Sequence, residues 1–231
     1  MKICGFQKMT LLDFPGQVAA TLFTGGCNLR CPFCHNALLV TEAEDLEEYS
    51  EDFIIGYLEK RRGVLDGLAI TGGEPLIHKD LMPFIERVRH LGYKVKLDTN
   101  GCFPDRLKDL VARKLLDYVA VDVKNTKEKY GETVGIPGFD TSKVEETVAF
   151  LKKGMVPYEF RTTVVREFHT MEDIAGIGAW IEGADAWFLQ NFVDSGKLIG
   201  EGLHAVPREE LLMMAEEGRR FVKKCELRGV D

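Results

Sequence analysis

Long apolar runs are missing from this 231-residue chain: no stretch approaches the roughly 18 residues that a membrane-crossing helix needs. The N-terminal MKICGFQKMTLLDFPG likewise lacks the continuous apolar core of an export signal. These two absences predict a cytoplasmic protein with no membrane partner. An excess of basic charge is missing too. With 30 Lys and Arg against 37 Asp and Glu, the formal net charge is −7, which excludes broad electrostatic attraction to nucleic acid or an anionic bilayer. Linkers and low-complexity tracts are absent, so residues 1–231 read as one domain, with a segment 1–18 leading into it, long enough to bury a sizeable core. A disulfide framework belongs to short exported chains, which this is not, so Cys4, Cys102 and Cys225 read as free thiols.

What is present is a compact cysteine set, Cys27-Asn28-Leu29-Arg30-Cys31-Pro32-Phe33-Cys34, with the spacing C-x3-C-x2-C. A four-iron four-sulfur cluster normally takes four cysteines, so three leave one iron open to a substrate or cofactor. The competing reading is a zinc-binding interaction module in which His35 joins the three cysteines as a fourth ligand. Against it, structural zinc sites usually pair two knuckles, no second knuckle occurs in the chain, and ligation by the sequence neighbours Cys34 and His35 is awkward. The five histidines share no spacing that suggests a site, and read as structural or exposed.

Around that set the chain alternates β-rich runs, at 19–23, 67–71, 94–98, 118–123, 158–165 and 186–190, with amphipathic stretches. Leu81, Phe84, Ile85, Val88 and Leu91 mark one helix stripe, and Leu107, Leu110, Val111 and Leu115 another. Ser142-x-x-Glu145 has the pattern of a capping box, helices are expected at 171–181 and 207–222, and Pro207 suits a first helical turn. Alternation of this kind predicts an α/β fold with parallel strands and right-handed crossovers. Six units fit a partial (β/α)6 TIM-like barrel. Polar or glycine-rich groups follow the apolar strand bodies at Thr24-Gly25-Gly26, Thr71 to Glu74, Asp98 to Gly101, Asp122 to Asn125 and Gln190-Asn191, where parallel α/β barrels carry their active sites.

The cysteine spacing, with Phe33 as the aromatic before Cys34, resembles the signature of the radical S-adenosylmethionine (radical SAM) superfamily. That resemblance implies that Cys27, Cys31 and Cys34 hold three irons of a [4Fe-4S] cluster and that the amino and carboxylate groups of S-adenosylmethionine chelate the fourth. Electron transfer then yields methionine and a 5′-deoxyadenosyl radical, which abstracts a hydrogen atom. Gly72-Gly73-Glu74-Pro75 resembles the GGE segment that lines the aminoacyl end of the cofactor; the glycines let backbone approach a ligand, and Glu74 suits the cofactor's ammonium group. Asp98-Thr99 and Asp122-Val123-Lys124 resemble segments of glycyl-radical activating enzymes. There the resemblance implies a monovalent cation beside the cofactor carboxylate, for which Asp98, Thr99 and Asp122 supply hard oxygen donors. By the same resemblance Arg161 contacts that carboxylate, and Lys124 approaches the cofactor or organises a substrate peptide, its bland reading being a rim lysine. Gln190 or Asn191 takes the adenosine side, where the pyruvate formate-lyase activating enzyme has a histidine.

Residues 8–16, Lys8-Met9-Thr10-Leu11-Leu12-Asp13-Phe14-Pro15-Gly16, together with the cysteine loop, resemble the anaerobic ribonucleoside-triphosphate reductase activating protein family over most of the chain. This implies an oxidoreductase whose substrate is a protein: a glycine of a glycyl-radical enzyme loses an α-hydrogen, with an electron donor such as flavodoxin or ferredoxin. No cysteine cluster lies between Cys34 and Gly72, so no auxiliary-cluster domain is expected. Two alternatives of the same chemistry remain, activation of another glycyl-radical enzyme of the pyruvate formate-lyase type and modification of a small molecule or peptide.

Overall fold

Successive strand residues point to opposite faces of a sheet, and in this chain the two faces carry different chemistry. In the computed structural model, which describes residues 1–229, Leu22, Leu68 and Ile70, Val95 and Leu97, Val119 and Val121, Phe160 and Val164, and Trp187 and Leu189 all turn outward into one continuous apolar core with the helices. The alternate residues, among them Thr21, Lys96, Asp98, Asp122, Glu159 and Arg161, turn inward to the lumen of a curved sheet.

That sheet runs in sequence order: β1 (Ile3–Thr10), β2 (Ala19–Thr24), β3 (Gly67–Gly72), β4 (Lys94–Thr99), β5 (Tyr118–Asp122), β6 (Tyr158–Val164), β7 (Trp187–Asn191) and β8 (Cys225–Arg228). From β2 onward every neighbouring pair is parallel, while β1 lies antiparallel on β2. The helices are α1 (Ala37–Thr41), α2 (Glu51–Glu59), α3 (Leu81–His90), α4 (Pro104–Ala112), α5 (Tyr130–Thr133), α6 (Ser142–Leu151), α7 (Met171–Trp180) and α8 (Arg208–Gly218). The six expected strands form β2 to β7 of a partial barrel, each end within one residue of its expected position. The expectation of six is short by two, because β1 and β8 are the edge strands, and β1 carries too little apolar alternation to stand out, its middle being half-buried or exposed. The sheet order places β1 and β8 at its two ends without pairing them. No helix among the described residues is long and apolar enough to cross a membrane.

Local signals explain several boundaries. Ser50 caps α2 by accepting from the Phe53 amide at 3.1 Å, and Arg87, Arg89 and His90 sit in the last turn of α3, where positive charge favours the helix dipole. The capping box expected at Ser142 and Glu145 does not form: the N-cap is Thr141, whose hydroxyl donates to the Glu145 carboxylate at 2.7 Å, while Ser142 is already helical and bonds to Asp140. A true capping box occurs instead at Thr170 and Asp173. Pro207 stands at the N-cap of α8 rather than inside its first turn.

Residues 8–16 lie at the end of the barrel away from the strand C-termini, since Thr10 pairs with Ala19, the first residue of β2. A turn at Phe14-Pro15-Gly16-Gln17 closes with the Gln17 amide on the Phe14 carbonyl at 3.1 Å and Gly16 at φ +69°. It buries Phe14 against Gly67 and Tyr118. Phe14 therefore plugs the bottom of the lumen.

Two glycines give opposite predictions. A Cβ on Gly73 would come within 1.9 Å of the Gly26 carbonyl oxygen, whereas a Cβ on Gly56, inside α2, meets nothing within 4 Å. Gly56→Ala should stabilise the protein by about 0.5–1 kcal/mol by relieving the helix cost of glycine. Gly73→Ala should destabilise it by more than about 2 kcal/mol through forced backbone displacement. Urea unfolding of the two variants checks both signs.

Candidate functional site

At the C-terminal ends of the parallel strands lies a cavity of about 390 Å³, within the range of roughly 300–1,000 Å³ for small-molecule sites. Its wall is drawn from β3 to β8 and from the loop that follows β2. Of the residues singled out in the sequence, Cys27, Cys31, Cys34, Phe33, Gly72, Gly73, Asp98, Thr99, Asp122, Lys124, Arg161 and Gln190 line it.

The cysteine loop is held by its own backbone and by its neighbours. The Arg30 guanidinium donates to the carbonyls of Cys27 at 2.7 Å and Leu29 at 2.8 Å. The Cys34 amide donates to the Cys31 carbonyl at 3.0 Å, and the Pro32 carbonyl accepts from the Gly200 amide at 2.8 Å. Burial pushes all three thiols up, Cys31 to about 12. Bare thiolates are therefore disfavoured here, and a metal is what would hold them deprotonated. Donors already aim at one sulfur: the Leu29 amide lies 3.4 Å and Asn100 Nδ2 3.8 Å from Cys27 Sγ. Among the described residues no three His, Cys, Asp or Glu side chains converge on a single ion.

Opposite the cysteines stands a row of paired charges. Arg161 on β6 donates from NH1 to Asp98 Oδ2 at 2.8 Å and from Nε to Asp122 Oδ1 at 2.9 Å, and Lys124 Nζ lies 3.0 Å from Asp122 Oδ2. The remaining oxygen, Asp98 Oδ1, accepts from Lys96 Nζ. Burial alone would raise both carboxyls, but Arg161 with Lys96 holds Asp98, and Arg161 with Lys124 holds Asp122, below the usual carboxylate range. The expected donor set for a monovalent cation does not fit this arrangement. Every oxygen of Asp98 and Asp122 is already engaged by a cationic nitrogen, and the Thr99 hydroxyl turns the other way, donating to Glu74 at 2.8 Å. Adjacent strand residues face opposite sides, so Asp98 and Thr99 cannot both point into the lumen.

Glu74 and Pro75 depart from their expected places, since neither lines the cavity. Glu74 is fully buried behind the wall. Its carboxylate accepts from the amides of Leu76 at 3.0 Å and Asn100 at 2.7 Å and from the Thr99 hydroxyl, which ties the end of β3 to the end of β4. Burial pushes its carboxyl up to about 7 against those three donors. The glycines before it do line the cavity, but their lack of a side chain is demanded by protein: a Cβ on Gly72 would sit 2.4 Å from the Thr24 amide nitrogen.

Thr163, Arg228 and Lys96 carry no motif, and Asn36, which closes the cysteine block, has no role assigned from the sequence. Thr163 and Lys96 could have been found by period two, as they stand two residues from Arg161 and Asp98 on the same strand faces. His78 and His169 bond to backbone carbonyls, and His90 and His204 are exposed, whereas His35 reaches the cavity wall.

The sequence profile of the radical SAM superfamily matches residues 21–181. A protein of Methanocaldococcus jannaschii that carries the provisional name of a glycyl-radical enzyme activating enzyme is 34% identical over 197 residues, covering 82% of this chain and 79% of that relative. Among solved structures, Streptococcus suis SuiB bound to its precursor peptide SuiA gives a TM-score of 0.69 at 14% identity over 90% of this chain, which spans about half, 48%, of SuiB. A domain of pyruvate-formate lyase-activating enzyme from Bacteroides vulgatus gives 0.58 at 14% identity, covering 71% of this chain and 99% of that one. Both structural likenesses concern the fold.

A carboxyl raised from 4.5 to about 7 binds its proton more tightly in the folded than in the unfolded state. Its contribution to stability is present below pH 4.5 and is lost as pH rises to 7, by up to about 3 kcal/mol. Denaturant unfolding of the cluster-free protein between pH 4.5 and 7 should show that loss, and Glu74→Gln should flatten it. An unchanged slope in the variant would place the pH dependence elsewhere.

Proposed function

The chain belongs to the radical SAM superfamily, and on that premise we propose that it is an activase that installs a glycyl radical on a partner enzyme, anaerobic ribonucleoside-triphosphate reductase. The observation that carries this reading is the meeting, in one cavity, of three cysteines and a row of paired charges. The provisional name of the 34%-identical relative supports a glycyl-radical partner. The block at 8–16 narrows the reading to the reductase. A superfamily neighbour seated on a peptide supports a polypeptide substrate.

Cys27, Cys31 and Cys34 are the residues that would hold a [4Fe-4S] cluster, and their fit is chemical: a buried Cys31 and half-buried Cys27 and Cys34 whose thiols metal ligation would keep as thiolates, one with N–H donors already directed at its sulfur. A cluster held there would supply the one-electron reducing power for cleaving S-adenosylmethionine, the source of the hydrogen-abstracting radical. The chain's own residues bind and orient. Asp98 and Asp122 carry two negative charges against the three positive charges of Lys96, Arg161 and Lys124, which leaves the row positive and suited to a ligand carboxylate. Arg161 is locked by two carboxylates, so its guanidinium is pre-oriented before a ligand arrives. Asn100 is fixed by its amide on Glu74 and its Nδ2 on Asn28 at 2.8 Å, which makes Glu74 a positioning residue for the cysteine loop. Leu29, Val40 and Phe192 supply the apolar part of the wall, and Phe33 packs against Phe168 with ring centroids 5.8 Å apart. Thr163, Gln190 and Asn191 offer uncharged polar groups on the far strands, suited to a nucleoside. Among the described residues β1 and β8 do not pair, which leaves a side on which a polypeptide loop could reach the cavity, and an external donor of flavodoxin or ferredoxin type would deliver the electron.

The test is electron paramagnetic resonance on the anaerobically reconstituted protein mixed with reductant, S-adenosylmethionine and an anaerobic ribonucleoside-triphosphate reductase. A glycyl-radical doublet that needs both this protein and S-adenosylmethionine is expected. 5′-Deoxyadenosine formed with no doublet on the reductase, but with one on a pyruvate formate-lyase-type enzyme, would move the partner. Cys27→Ala, Cys31→Ala and Cys34→Ala should each abolish cofactor cleavage, and turnover retained in any of them would contradict the ligand assignment.

A further inference from the structure

Lys96 is 1% exposed, and among the described residues no other lysine or arginine is buried as completely. Its place on β4 follows from period two, two residues below Asp98 and on the same luminal face, while Val95 and Leu97 carry that strand's contact with the helices. Apolar packing thus gives no reason for a cation at 96, and an ammonium withdrawn from water is costly unless it is paired. Its partner is Asp98 Oδ1. The nearby buried Glu159 does not compete for it, because Arg228 takes both of its oxygens at 2.6 and 3.0 Å and the Tyr118 hydroxyl donates to it at 2.9 Å. Lys96 therefore completes a set in which four carboxylate oxygens on two aspartates meet four cationic nitrogens on three side chains.

We propose that Lys96 is a built-in counterion, a positioning residue whose ammonium does for Asp98 what a bound monovalent cation would do, so that this chain binds its ligand without Na⁺ or K⁺. With Lys96 in place, Asp98 shares only one oxygen with Arg161, and the guanidinium stays directed at the cavity together with Lys124. The row keeps one net positive charge for the carboxylate of an amino-acid-like ligand. Without Lys96, Asp98 Oδ1 is left bare in a buried space freed by the side chain, which is the setting that recruits a small hard cation. The ligand side of this inference rests on S-adenosylmethionine being the cofactor.

Two measurements separate the inference from that premise. The first is the S-adenosylmethionine dissociation constant of the cluster-reconstituted protein, by equilibrium dialysis in KCl, NaCl and choline chloride at equal ionic strength. The wild-type constant should agree within about twofold across the three salts, since no cation site has to be filled. Lys96→Met should bind at least tenfold more weakly in choline and recover at least fivefold in K⁺ or Na⁺, a rescue that a merely structural role for Lys96 would not show. The second is the thermal midpoint in the same salts without cofactor: unchanged for the wild type, and raised several degrees by K⁺ or Na⁺ over choline for Lys96→Met. Lys96→Gln serves if the methionine variant does not fold. A wild-type protein that binds tightly only in K⁺ or Na⁺, or a variant indifferent to the salt in both measurements, overturns the proposal. Failure of S-adenosylmethionine to bind the wild type in every salt refutes the cofactor premise, and the cofactor-free midpoints then still decide the role of Lys96.

Discussion

Two aspartates cannot stand side by side inside a barrel unless cations stand between them, and most of this site is arranged around that requirement. Arg161 bridges Asp98 and Asp122 from the neighbouring strand, and Lys96 and Lys124 occupy the outer oxygens. Removing one member of such a set leaves a buried charge without its partner, typically at a cost of about 3–5 kcal/mol. The set is therefore rigid by necessity, and its rigidity is useful: side chains that are fully paired before a ligand arrives need little reorganisation when it does.

The same constraint divides the molecule into two interiors. The outward faces of the strands and the inward faces of the helices form a dry core of Val, Ile, Leu, Phe and Trp187, which supplies the stability. The lumen holds charged and small residues, with Tyr118 on Glu159 and Phe188 under Arg228, and is closed from below by Phe14. A lumen filled with aliphatic side chains would be more stable but would have nothing to offer an ionic ligand. The cysteine loop sits over this polar lumen, steadied by the backbone contact of Gly26 with Glu74, an amide-to-carbonyl bond of 2.9 Å, and by the Asn100 amide on the Glu74 carboxylate.

Much of this was legible one residue at a time. The parallel strands β2 to β7 announce themselves through short apolar runs followed by polar or glycine-rich turns, and the cysteine spacing states its chemistry without reference to the fold. Edge strands β1 and β8 were not legible, because a strand paired on one side needs less apolar alternation to be stable. The capping box suggested by Ser142 and Glu145 does not form, since Thr141 takes the N-cap place with its hydroxyl on Glu145 and Ser142 bonds to Asp140. Glu74 looked like a ligand-facing carboxylate, because a motif does not say on which side of the wall a side chain turns.

The order of elements, the class of chemistry at Cys27, Cys31 and Cys34, and the inventory of charges at the strand ends belong to the sequence alone, since periodicity and residue type determine them locally. Which charges meet was decided only in three dimensions. Lys96, Asp98, Asp122 and Arg161 come from three strands separated by whole helices, with Lys124 just past the end of the middle one, and the pairing that fills every carboxylate oxygen exists only because strand register brings Asp98 beside Ala120 and Asp122 beside Arg161. Burial then makes that pairing obligatory, and no local signal in the chain carries information about burial across strands.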